Sequence, residues 1–207
     1  MFAAGAATTE FLPALSAADA ASASHRAKRI MLIRHAERPD GVGPPFGITV
    51  DGSVDPWSLT VVGWQRAGAL VELFDPAVGA VKSGLTRPTH LFASNPGTNQ
   101  SKRPLETITP LSQRLKLDVK TPVMAAEATQ IAKVLTRTPG SPLAAWPHQA
   151  IPTIAQHLGT VRPTPPTTWP GDRFDIVWVF TRQQNGTWKF TQVPQLLLAG
   201  DRHSVIT

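Results

Sequence analysis

Apolar residues occur along this chain in two alternating patterns, short unbroken runs and longer stretches with helical spacing. The runs at residues 30–33, 90–93 and 143–146 predict short strands that are buried on both faces of a sheet. Helical spacing after the capping residue Thr60 predicts an amphipathic helix over residues 61–74. The alternation of strands and helices favours a parallel sheet between two layers of helices.

Further helices are predicted over residues 101–115, with Pro104 in the first turn, over 125–135, and over 151–158, with Gly159 as the C-cap. Strand-like runs at 174–180 and 187–193 flank Asn185-Gly186, a strong hairpin signal. We therefore expect an α/β three-layer sandwich, with a mainly parallel sheet flanked by helices and an antiparallel C-terminal hairpin at its edge.

The length of 207 residues suits one domain. Residues 1–28 are rich in Ala, Ser and Thr and predict a poorly ordered N-terminal leader, so the folded domain is expected over residues 29–207. A secretory signal is poorly supported, because no basic residue precedes His25. Residues 160–170 are too dense in proline for a helix or central strand and predict a loop.

Composition excludes several classes of function. The chain has no cysteine, which excludes disulfide frameworks, thiolate nucleophiles, zinc fingers and iron–sulfur clusters. The net charge is +6, but the only basic cluster is residues 25–29 and tyrosine is absent, so a small anionic ligand fits better than nucleic acid. No apolar run is long enough to predict a membrane span. We expect a soluble, cytoplasmic protein, with secretion or a periplasmic location as the alternative; the oligomeric state is not predicted.

Polar side chains follow each of the three predicted parallel strands. Arg34, His35 and Arg38 come after the first strand, a loop leading to Arg103 follows the second, and His148 comes after the third. Because ligands of open α/β sheets bind at the carboxyl ends of strands, these residues predict one cationic pocket. Arginine matches phosphate oxygens, and a neutral imidazole in such a pocket could attack phosphorus.

These motifs, in this order, resemble those of the histidine phosphatase superfamily, which includes cofactor-dependent phosphoglycerate mutase and histidine acid phosphatase. The resemblance covers about residues 30–160. It rests on Arg34-His35-Ala36-Glu37-Arg38, on residues 59–67 opening the first helix, on residues 101–107 opening the second, and on His148.

The resemblance implies a role for each matching residue. His35 matches the nucleophile, which becomes a phosphohistidine, and Arg34, Arg103 and His148 match the phosphate pocket. Arg38 matches a second arginine found in the acid-phosphatase branch. No metal and no organic cofactor are implied.

The chain departs from the family pattern at three places. Ala36 stands where the family usually has glycine, and Gln149 stands where the acid-phosphatase branch has aspartate. Nine positions separate Ser94 from Arg103, which indicates an insertion in this loop. Because Gln149 replaces that aspartate, the proton donor of the acid-phosphatase branch is not at its usual position.

The phosphoglycerate mutase branch has a glutamate as its acid, between the second arginine and the second histidine. In this chain that interval holds Glu106 and Glu127, of which we favour Glu127, because it opens a helix near the predicted sheet rim. Helix capping is the alternative role of Glu127. Glu37 and Asp172 are less favoured candidates for the proton donor.

The function expected from these residues is phosphomonoester hydrolysis through a phosphohistidine on a small anionic substrate. A phosphomutase of the same fold, or a catalytically inactive anion-binding or regulatory domain, are the alternatives. His90, His157 and His203 are assigned ordinary structural roles, and the nine-residue spacing between His148 and His157 predicts no metal site.

Overall fold

The computed structural model describes residues 26–97 and 101–207, so most of the predicted leader lies outside the described residues. The elements in chain order are β1 (Arg29–Arg34), α1 (Val61–Phe74), β2 (His90–Ala93), α2 (Arg103–Leu115), β3 (Val119–Lys120), α3 (Ala128–Arg137), β4 (Pro142–Trp146), α4 (Ile151–Gln156), β5 (Val161–Arg162), β6 (Ile176–Arg182) and β7 (Trp188–Pro194).

These strands form one sheet in the order β3-β2-β4-β1-β6-β7-β5. Every neighbouring pair is parallel except the two pairs that β6 makes, with β1 and with β7. The predicted α/β class, mainly parallel sheet and C-terminal hairpin are confirmed. The carboxyl ends of β1, β2 and β4 consequently meet at one rim of the sheet.

The edge of the sheet differs from the prediction in one respect. The hairpin of β6 and β7 is not outermost, because β5 pairs in parallel with β7 within the stretch predicted to be only a loop. Val161 is buried and the Trp188 amide donates a hydrogen bond to the Thr160 carbonyl. Pro163 follows directly and cannot donate to a ladder, which explains why β5 has only two residues.

The core lies in two layers, one on each face of the sheet. Ile30 and Leu32 of β1 point toward α3 and α4, whereas Met31 and Ile33 point toward α1 and α2. This alternation is the two-residue period of a strand that is buried on both faces. No helix among the described residues is long and apolar enough to cross a membrane.

The helix predictions are correct in place and differ at their ends. Helix α1 has the predicted bounds, and Thr60 caps it by accepting a hydrogen bond from the Gly63 amide at 3.2 Å. Helix α2 begins two residues later than predicted, α3 begins three residues later, and α4 ends two residues earlier. Strand β3 was not predicted, since two residues carry no periodic signal.

Candidate active site

Strand β1 delivers Arg34 and His35 to the middle of the rim. The His35 amide donates to the Trp146 carbonyl at 3.1 Å, so the pairing of β1 with β4 continues one residue past the strand. Both side chains are buried, with 1% of Arg34 and 5% of His35 exposed. The backbone of this pair is therefore fixed by the most central part of the sheet.

Helix α2 holds the residue that follows His35. The Ala36 amide donates to Oγ1 of the fully buried Thr107 at 2.8 Å, and that hydroxyl donates to the Arg103 carbonyl at 2.7 Å. Thr107 therefore satisfies a buried amide beside His35. No role of Thr107 was predicted from the sequence, although a threonine four residues after Arg103 in a helix can bond through its hydroxyl to the carbonyl of the preceding turn.

The start of α1 holds the next part of the loop. The Thr60 amide donates to the Glu37 carbonyl at 3.0 Å. A Cβ atom at Gly63 would lie 2.4 Å from the same carbonyl oxygen, so only glycine permits the helix to approach this closely.

The imidazole of His35 is held in one tautomer. Its Nδ1 lies 2.8 Å from the Ala36 carbonyl, which can only accept, so Nδ1 carries the proton. Burial is the main cause that lowers the pKa of His35 to about 3, and the positive charges of Arg34 and Arg103 contribute in the same direction. His35 is therefore neutral near pH 7, with a lone pair on Nε2, which has no hydrogen-bond partner among the described residues.

Arg34 has unused donors beside this imidazole. Its Nη1 donates to the Gly171 carbonyl at 2.6 Å, while Nε and Nη2 are buried without a partner among the described residues. Those two nitrogens present parallel N–H groups on one side of the guanidinium, the arrangement that matches two phosphate oxygens. Burial and the charge of Arg38 lower the pKa of Arg34 to about 10, so it stays charged at neutral pH.

Phe174 contacts both groups and was not identified from the sequence. The Arg34 guanidinium carbon lies 3.7 Å from the centroid of its ring, and the His35 ring centroid lies 6.2 Å from it. The residue precedes β6, the antiparallel strand, whose amino end meets the carboxyl end of β1. This aromatic ring stabilises the Arg34 cation and lies beside the imidazole.

His148 joins the same cluster from the end of β4. Its Nδ1 is buried and has no hydrogen-bond partner among the described residues. Burial lowers the pKa of His148 to about 4, and the charges of Arg34 and Arg38 act in the same direction. Together with Arg34, it contributes buried nitrogen atoms that a bound anion can satisfy.

Arg103 and Arg38 surround this cluster in different ways. Arg103 is half-buried, and its Nε donates to the Ser58 carbonyl at 3.2 Å and its Nη2 to the Pro56 carbonyl. Its charge reaches His35, but these two donors hold the loop that precedes α1. Arg38 is exposed, and its charge lowers the pKa values of Arg34, Arg103 and His148.

A buried ion-pair network anchors the other side of the motif. Arg66 of α1 donates to Glu37 at 2.8 Å and to Asp201 at 2.7 Å, and its Nη1 also donates to Gln195. Arg66 and Asp201 are only 4% exposed. Glu37 is therefore occupied by a structural ion pair, and the network ties the loop after β1 to the end of the chain.

The carboxylates considered as proton donors are all engaged in hydrogen bonds. Glu127 accepts from the Met124 amide at 2.8 Å and from Gln130 Nε2 at 2.6 Å, the contacts of a residue at a helix start. Glu106 accepts from Ser58 Oγ and the Leu59 amide, and burial raises the pKa of Glu106. Exposed Asp172 pairs with Arg202. The part of Glu127 as a proton donor stays a prediction.

The arrangement as a whole is a cationic cluster around a neutral imidazole. Within residues 26–97 and 101–207, no group of three or more His, Asp or Glu side chains could hold a metal ion. The pocket can bind a small anion through Arg34 and His148, and it can present Nε2 of His35 to that anion as a nucleophile.

Comparisons with known proteins find similarity only among solved structures. No family model and no curated protein sequence matches the chain. Solved structures similar to it include SixA from Agrobacterium tumefaciens, at 14% identity and a TM-score of 0.46, covering 79% of this chain and 96% of the other. A mycobacterial glucosyl-3-phosphoglycerate phosphatase in complex with inorganic phosphate gives 12% identity, a TM-score of 0.43 and coverage of 80% and 95%.

YhfR from Bacillus stearothermophilus is another similar structure, with 16% identity and a TM-score of 0.40. The match covers 77% of this chain and 93% of the YhfR chain. These neighbours are members of the histidine phosphatase superfamily, the family that the sequence motifs resemble. Similarity at this level concerns the arrangement of strands and helices. Activity and substrate therefore have to be argued from the side chains of this chain.

Proposed function

We propose that this protein hydrolyses phosphomonoesters through a phosphohistidine formed at Nε2 of His35. The observation that supports this most is the state of His35 itself, which is buried, neutral and held by the Ala36 carbonyl at Nδ1. A protonated or freely rotating imidazole would be a poor nucleophile, whereas this one needs no separate base to activate it.

In the first step, the Nε2 lone pair forms a bond to phosphorus while the ester P–O bond breaks. The leaving oxygen takes that electron pair and a proton from a general acid, for which Glu127 is the favoured candidate. The Nδ1–H bond to the Ala36 carbonyl stabilises the positive charge that the ring gains. Nε and Nη2 of Arg34, with His148 and the charge of Arg38, stabilise the phosphoryl oxygens.

In the second step, water attacks the phosphohistidine and the P–N bond breaks, which returns the electron pair to Nε2. One proton of the water returns to the general acid, and inorganic phosphate leaves. No step requires an oxidant, a reductant or any co-reactant other than water. The substrate class is a small anionic phosphomonoester, which the positive pocket attracts.

The test is the release of inorganic phosphate from an aryl phosphate and a panel of alkyl phosphates. His35→Ala should lower turnover by at least about a thousandfold, because it removes the covalent route. Arg34→Ala and His148→Ala should give smaller losses. His203→Ala, which removes an exposed imidazole outside the pocket, is the matched control and should keep full activity.

A rapid-quench experiment tests the intermediate directly. Protein mixed with a ³²P-labelled substrate should retain label that is acid-labile and alkali-stable, and the label should be absent from His35→Ala. Wild-type turnover in His35→Ala would disprove the mechanism. Phosphate binding without hydrolysis of any substrate would instead identify an inactive anion-binding domain.

A further inference from the structure

A cavity of about 360 Å³ lies at the end of the sheet opposite the candidate active site. Its lining includes Arg26 before β1, Arg137 at the end of α3 and Arg182 at the end of β6. Strand β1 runs from this end to the active-site rim, and its six residues span about 20 Å. We call this the distal cavity. It shares no lining residue with the pocket around His35.

One of the three arginines is held in place by an aromatic side chain. The guanidinium carbon of Arg182 lies 5.1 Å from the ring centroid of Trp188, its partner across the β6–β7 ladder. Trp188 is 1% exposed, and its Nε1 donates to the Leu158 carbonyl at 2.9 Å. The ring is therefore held in a fixed position, and its contact with the Arg182 guanidinium limits where that group can lie.

The positive charges of the distal cavity are not neutralised by the described residues. None of the ion pairs formed between residues in 26–97 and 101–207 includes Arg26, Arg137 or Arg182. No aspartate or glutamate is among the described residues that line the cavity, whereas His157 is. Burial and the charge of Arg26 lower the pKa of Arg182, which indicates that the guanidiniums are close enough to repel.

An ordinary structural role explains only part of this arrangement. Arg137 lies in the last turn of α3, where a cation interacts favourably with the helix dipole. Arg26 and Arg182 have no such position, and they line the same cavity from the segment before β1 and from the end of β6. The basic cluster of the sequence at residues 25–29, which the active site does not use, contributes Arg26 to it.

We propose that the distal cavity binds a compact, multiply charged anion of the phosphate class, with inorganic pyrophosphate as its simplest form. A phosphoryl group offers three terminal oxygens and so can meet guanidiniums that approach from three directions, whereas a carboxylate has two oxygens and one charge. The cavity volume is within the range of small-molecule sites and exceeds the need of a single phosphate. The proposal does not depend on the function of His35.

The experiment is a titration of inorganic pyrophosphate into the ¹⁵N-labelled full chain, followed by the backbone amide signals of three glycines. Gly159 and Gly186 line the distal cavity, and Gly171 reports on the candidate active site through its carbonyl bond to Arg34. Saturable shifts of Gly159 and Gly186 are expected. A shift confined to Gly171 would overturn the distal site and leave the proposed function standing.

Variants then assign the binding to the arginines. Arg137→Gln combined with Arg182→Gln should weaken the pyrophosphate affinity read at Gly159 and Gly186 by at least about tenfold, with the affinity read at Gly171 unchanged. Lys189→Gln is the control, because Lys189 is an exposed cation next to Trp188 that lies outside the cavity lining. The pyrophosphate affinity of this variant should stay within about twofold of wild type.

An equal loss in Lys189→Gln would show that net charge alone attracts the anion, and it would overturn the proposal. A parallel titration with citrate tests the ligand class, since citrate has a comparable charge but carries only carboxylates. Tighter binding of citrate than of pyrophosphate at the distal cavity would disprove the assignment to the phosphate class.

Discussion

Replacement of His35 by glutamine should change how stability depends on pH, independently of any catalytic assay. Burial lowers the pKa of His35 to about 3 in the folded protein, whereas an unfolded chain titrates near its ordinary pKa of about 6.5. The unfolded state therefore takes up the proton first as the pH falls. The contribution of neutral His35 to the free energy of unfolding is fully present above about pH 6.5, and it is lost progressively as the pH falls toward about 3.

The size of the effect follows from the interval over which only the unfolded chain is protonated. Each pH unit below about 6.5 costs about 1.4 kcal/mol, so the step from pH 6.5 to pH 5 costs about 2 kcal/mol of unfolding free energy. His148 adds to the same trend in wild type, because burial lowers its pKa to about 4. His35→Gln should remove only the pH dependence of the unfolding free energy that arises from His35.

The assay is urea unfolding in phosphate-free buffer at about pH 7.5 and pH 5, applied to wild type, His35→Gln and His203→Gln. The fall in unfolding free energy between the two pH values should be about 2 kcal/mol smaller in His35→Gln than in wild type. His203 is exposed, so His203→Gln should behave as wild type. An undiminished fall in His35→Gln would show that His35 is protonated when folded, which would refute the reasoning for a neutral nucleophile.

Three further predictions concern the groups around His35. Thr107→Val leaves the buried Ala36 amide unpaired, so it should cost about 1–3 kcal/mol in urea unfolding and lower turnover, and Thr107→Ser should restore both. Glu127→Gln should strongly slow hydrolysis of an alkyl phosphate and spare an aryl phosphate, whose leaving group needs little protonation; equal effects on both would remove Glu127 from the mechanism. Dialysis against a chelator should leave turnover unchanged, because the sequence and the described residues offer no metal-ligand cluster; recovery of a lost rate on adding a divalent ion would contradict this.

The rim of the sheet could be predicted from the sequence because it depends on local patterns and one general rule. Apolar runs located β1, β2 and β4, and the parallel arrangement places their carboxyl ends together. Arg34, His35 and His148 follow from that rule, since Arg34 ends β1, His35 comes directly after it, and His148 lies two residues after the end of β4. The prediction needed no contact between distant segments.

The residues that were missed act through such distant contacts. Arg66 and Asp201 are 135 positions apart, and nothing in either local sequence indicates that they pair. Phe174 reaches Arg34 only because β6 runs antiparallel beside β1, so its place depends on the pairing of the completed sheet. The role of Glu127 is ambiguous for another reason. Its position at the start of a helix is compatible with a hydrogen-bonding role there and with a role as the proton donor.

The charges of the candidate active site connect binding and nucleophilicity. Arg34, Arg38 and Arg103 place positive charge near the histidines, which helps to keep His35 and His148 neutral. In the proposed reaction, the same charges attract the phosphate dianion, which relieves their mutual repulsion and favours the positive charge that His35 gains when the P–N bond forms. A substitution that removes Arg34 would weaken phosphate binding and also raise the pKa of the nucleophile. In the proposed mechanism, Arg34 therefore contributes before the substrate binds as well as during the transfer.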